Sequence, residues 1–87
     1  MTGLPSQELG KLRWRCRRGM KELDVLLLRY VEEQFCGASI AHQEAFRTLL
    51  DAPDALIYAY CLAQELPESV ILSSLIARIT KRAPADP

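Results

Sequence analysis

Histidine is nearly absent from this chain, and that scarcity narrows what it can do. The 87 residues contain one, His42, which leaves little for acid–base catalysis and completes no Ser/His/Asp or Cys/His constellation. The three cysteines, Cys16, Cys36 and Cys61, are an odd number with no Cys-x-x-Cys spacing. Neither a disulfide framework nor a zinc site follows from them, and all three read as reduced thiols acting as small apolar fillers. No Gly-rich phosphate loop is present, so the chain is expected to hold no nucleotide or flavin, and no metal, by itself. No apolar run approaches the ~20 residues of a membrane span. The start, Met1 to Ser6, shows neither a secretory apolar stretch nor an Arg-rich transit leader, so the chain reads as cytoplasmic. Sustained apolar–polar alternation is missing too, and with it any expectation of strands.

What remains is helical periodicity in an ordinary globular composition, 49% hydrophobic and 25% charged. At this length the chain has room for one modest core. Ser6 is positioned to cap a first helix with Leu9, Leu12 and Cys16 as its buried stripe, and Gly19 is a natural stop. A second helix is expected from about Met20 to Phe35, with Leu23, Leu26, Leu27, Tyr30 and Val31 on its apolar face. Ser39 caps a third, carrying Ile40, Phe46, Leu49 and Leu50. Asp51 can accept backbone N–H bonds where the chain restarts, and Pro53 suits the opening of a fourth helix with Leu56, Ile57, Tyr60 and Leu62. Leu66-Pro67-Glu68 starts a fifth, with Val70, Ile71, Leu72, Leu75, Ile76 and Ile79. The expectation is an all-α fold, a compact bundle of five short helices over residues 1–82, followed by a disordered tail at 83–87.

The net charge of zero conceals a division. Through Glu22 the chain carries Lys11, Arg13, Arg15, Arg17, Arg18 and Lys21 against Glu8 and Glu22, and the rest is correspondingly acidic. A basic front on an acidic body suggests an oriented contact surface. Lys11, Arg15 and Arg18 share one helical face, and Arg18, Gly19 and Glu22 fall where the first helix breaks and the second begins. Such a break offers bare backbone for close approach, flanked by a guanidinium and a carboxylate. Arg18 with Glu22 also reads as an exposed ion pair worth about 0–1 kcal/mol, and Glu22 and Asp24 as ordinary first-turn acids. Trp14 reads equally as a half-buried cap on the core or as an interface anchor. The stretch from Lys11 to Arg18, basic with an interleaved aromatic, is also a footprint for nucleic acid, although a sequence pI near 6.6 speaks against a long phosphate backbone. A basic amphipathic helix on a membrane surface is disfavoured because Leu9, Leu12 and Cys16 are needed by the core.

The run from Leu12 to Asp24, with Arg18-Gly19-x-x-Glu22 inside it, resembles the Arg-Gly-x-x-Glu motif of the succinate dehydrogenase flavinylation factors. These are small five-helix proteins, called assembly factor 2 in mitochondria. Trp14 two residues before Cys16, the pair Arg17-Arg18 and the following Leu23-Asp24 are similar to the family as well. Leu49-Leu50-Asp51 and Pro53-Asp54 resemble its third-to-fourth helix junction. One departure is Tyr58, where the family usually has a tryptophan. The resemblance implies a non-enzymatic factor that binds the flavoprotein subunit of succinate dehydrogenase, or that of fumarate reductase, and promotes the covalent bond between FAD and a histidine of that subunit. It further implies that the factor is a monomer when free, that FAD stays on the partner, and that contact is made through Arg18, Gly19 and Glu22 with Trp14, Arg15, Arg17 and Asp24 beside them.

Overall fold

In the computed structural model, residues 6–81 are described. They form α1 (Ser6–Arg15), α2 (Lys21–Glu33), a short 3-10 turn (Phe35–Gly37), α3 (Ile40–Leu49), α4 (Asp54–Cys61) and α5 (Val70–Thr80). The all-α fold of five short helices is therefore the one the periodicity predicts. The Ser6 side chain and the 83–87 tail lie outside what is described.

Helix α5 packs on α2, α3 and α4, while α1 lies along α2. The apolar stripes meet in one core: Leu12 from α1 and Cys16 just after it; Leu23, Leu27, Tyr30 and Val31 from α2; Phe46 and Leu49 from α3; Ile57 and Cys61 from α4; Leu75, Ile76 and Ile79 from α5. Phe35, on the 3-10 turn, joins Tyr30 and Phe46 in an aromatic cluster with ring centroids 4.9 to 6.4 Å apart, tilted or edge-on as ring quadrupoles favour.

Several boundaries and faces depart from expectation. The first helix ends at Arg15, ahead of Gly19, and the residues between form a linker in which Gly19 takes the left-handed conformation, φ 86°. The fifth helix begins at Val70 rather than at Leu66-Pro67, because the Ser69 hydroxyl accepts the Leu72 N–H and fixes the start there. Val70 is consequently 87% exposed, and Ile40, Leu62 and Ile71 are also exposed. Helical periodicity identifies a face but not how far along it burial extends. Cys36 is exposed, so of the three cysteines Cys16 and Cys61 are core fillers and the third is not.

Candidate functional site

The linker between α1 and α2 is built from polar contacts on every side. Arg18, 14% exposed in its side chain, turns inward. Its Nε donates to the Asp54 carboxylate at 2.7 Å, its Nη1 to the carbonyls of Arg15 and Leu50 at 3.0 and 2.9 Å, and its Nη2 to the Ala52 carbonyl at 3.0 Å. Four of the five guanidinium N–H groups are thereby used inside the molecule, in the planar fork geometry that lysine lacks. Asp24, from the first turn of α2, reaches back and accepts the backbone N–H groups of Arg18 at 2.8 Å and Gly19 at 3.2 Å. A linker that belongs to no helix thus has the N–H groups of Arg18 and Gly19 satisfied and its path fixed there.

Glu22 is not Arg18's partner. It is exposed on the first turn of α2 and accepts the Tyr58 hydroxyl at 2.7 Å. That contact holds the Tyr58 phenol above the usual tyrosine range, through the hydrogen bond first and the carboxylate charge second. Arg15 pairs with Asp51, and Arg13 with Glu32. Asp51, expected to accept backbone N–H bonds, instead receives this guanidinium.

The site residues read from the sequence therefore divide. Arg18 and Asp24 are consumed as internal clamps, and Arg15 is engaged with Asp51. Facing outward are Trp14, 72% exposed and hence no cap on the core, together with Arg17, Gly19, Lys21 and Glu22. A side chain built at Gly19 would meet nothing within 4 Å, so that backbone is open to approach. Sequence reasoning missed Asp54 as the acceptor of Arg18, and no local signal marks it.

Pairing also reduces the basic front. Of its cations, Lys11, Arg17 and Lys21 make no ion pair among the described residues, while Arg13, Arg15 and Arg18 face Glu32, Asp51 and Asp54. A phosphate backbone would meet carboxylates among the cations, which disfavours the nucleic-acid reading. Among the described residues no cluster of three His, Cys, Asp or Glu side chains forms that could hold a metal ion, and no helix is long and apolar enough to cross a membrane.

The family model described as "Flavinator of succinate dehydrogenase" matches residues 10–83, from within α1 through the linker and all of α2 to α5. The chain belongs to that family. It is 46% identical to the FAD assembly factor SdhE of Coxiella burnetii over 69 residues, 79% of this chain and 84% of the relative. Identity to the protein of the same name is 36% in Colwellia psychrerythraea, covering 93% of this chain and 89% of that one. In Pseudomonas aeruginosa it is 37%, covering 91% and 94%. No solved structure matches the chain.

Proposed function

We propose that this flavinator-family protein docks on the flavoprotein subunit of succinate dehydrogenase, and on that of fumarate reductase where present, and promotes covalent attachment of FAD without catalysing the step itself. The match of the family model from within α1 to the end of α5 carries this reading. The outward set of Trp14, Arg17, Gly19 and Glu22 is the contact surface. Gly19 admits the partner's backbone, Glu22 and Arg17 offer a carboxylate and a free guanidinium to polar partners, and Trp14 is the aromatic anchor, a residue type that dominates binding energy at interfaces.

The factor needs no reactive group for this. Flavinylation joins FAD to a histidine of the flavoprotein, and a bound protein lowers the barrier if it favours the conformer in which ring and imidazole are already aligned. Arg18 and Asp24 act one step back, by holding the linker in the shape the partner meets. The free factor is a monomer on this reading, and FAD stays with the flavoprotein throughout.

Co-expression with a succinate dehydrogenase flavoprotein subunit, scored by in-gel flavin fluorescence, tests both levels of the proposal. The native chain is expected to raise covalent flavin; no increase overturns the function. Glu22→Ala and Trp14→Ala should each lower it while the melting temperature hardly moves. Full activity of both variants at limiting protein would dismiss this surface.

A further inference from the structure

Glu22 is an exposed residue with a flexible side chain, yet its carboxylate is not free to wander. One oxygen receives the Tyr58 hydroxyl at 2.7 Å. Tyr58 is a firm point of attachment: its ring packs, partly buried, against the core, and it lies on α4, whose first residue, Asp54, is fastened to Arg18. Asp54 and Tyr58 are one helical turn apart, hence on one face of α4. That face holds both ends of the Arg18–Glu22 segment.

We infer that Tyr58 is a positioning residue which, through its hydroxyl, presents the Glu22 carboxylate in a single orientation to an N–H donor of the partner. The inference rests on the docking proposed above and adds to it the chemistry of one contact. A phenol has one proton to give, and here it is given to Glu22. The second carboxylate oxygen has no partner among the described residues and retains its lone pairs for an arginine, a lysine or a backbone amide. With its pKa raised by Glu22, the phenol stays a donor throughout the neutral range. A surface hydrogen bond of this kind contributes little to folding. Its larger effect is to remove rotamer freedom that the carboxylate would otherwise lose on binding.

The test is a double-mutant cycle in the full chain, reading Kd for the succinate dehydrogenase flavoprotein subunit and melting temperature side by side. Tyr58→Phe keeps the ring and deletes the donor. It should weaken binding about two- to tenfold, the cost of one side chain left unordered, with the melting temperature near the native value. Glu22→Ala should weaken binding further, and adding Tyr58→Phe to it should change nothing more. Native affinity of Tyr58→Phe alongside weak binding by Glu22→Ala overturns the positioning role and leaves the docking surface standing. An equal loss from Tyr58→Phe in both backgrounds also overturns it, because Tyr58 then acts independently of Glu22. Native affinity of Glu22→Ala removes the docking contact and the positioning role together.

Discussion

Tyr58 donates to Glu22 one turn along α4 from the point where Asp54 receives Arg18. Two pairs with the same four-residue spacing thus bridge the linker and the start of α2 to α4, and the segment between Arg18 and Glu22 is suspended from them. The motif is braced to α4 at both of its ends.

Removing the brace should be costly in proportion to what it leaves behind. Arg18→Ala strips a partner from Asp54 and three carbonyls, part of them shielded from water, and is expected to destabilise the fold by about 1–3 kcal/mol. Arg18→Lys should recover only part of this, since an ammonium cannot span the same acceptors. Gly19→Ala should cost about 1–2 kcal/mol for left-handed backbone, with no clash. Urea unfolding of the three variants checks the order. An Arg18→Ala protein as stable as the native one would show that the linker is not held by that side chain.

Core truncation gives a second expectation. Leu27 on α2 and Leu75 on α5 are both 0% exposed, at the centre of the packing. Replacing either by Ala should cost about 2–5 kcal/mol, a large share of the stability of so small a domain. Val70→Ala, on a residue almost fully in solvent, should stay within about 0.5 kcal/mol. Denaturant midpoints for the three distinguish buried from exposed faces.

Alkaline pH should weaken the fold through Cys16. Burial is the first cause that pushes this thiol up to about 11 from an ordinary 9.0, ahead of the opposing effect of Arg18. Because the folded-state value is the higher, the unfolded chain releases the proton first. Stability is then full below about pH 9 and falls as pH rises toward 11, by up to about 1.4 kcal/mol per unit. Tyr30 and Tyr58, also raised, add the same trend at the upper end. Cys16→Ala should flatten the lower part of that slope in a stability–pH series, and an unchanged slope would count against the assignment. Modification by a thiol reagent should reach Cys36 first, with Cys16 and Cys61 protected until unfolding.

The fold was legible wherever it depended on local repetition. Leu23, Leu27 and Val31, or Leu75 and Ile79, recur at the helical period, and the Ser39 cap is signalled by its neighbours alone. The Ser69 cap was overlooked because Pro67, two residues earlier, is itself a plausible first helical residue. The candidate site was legible as a place and not as a set of roles. Glycine and charge marked the Arg18–Glu22 break, but whether Arg18 points outward depends on Leu50, Ala52 and Asp54, more than thirty residues away. No local spacing carries that information. Nor does any local signal favour Tyr58 over Arg18 as the partner of Glu22.

The inward turn of Arg18 and Asp24 leaves Trp14, Arg17 and Lys21 outside, so side chains that hold the fold and side chains that face solvent are interleaved along a single short run of sequence. Changes at the outward letters leave the hydrogen bonds of the inward ones undisturbed. Arg18 and Asp54 have no such liberty: each is the other's counterion, and a change at either strands the charge of the other.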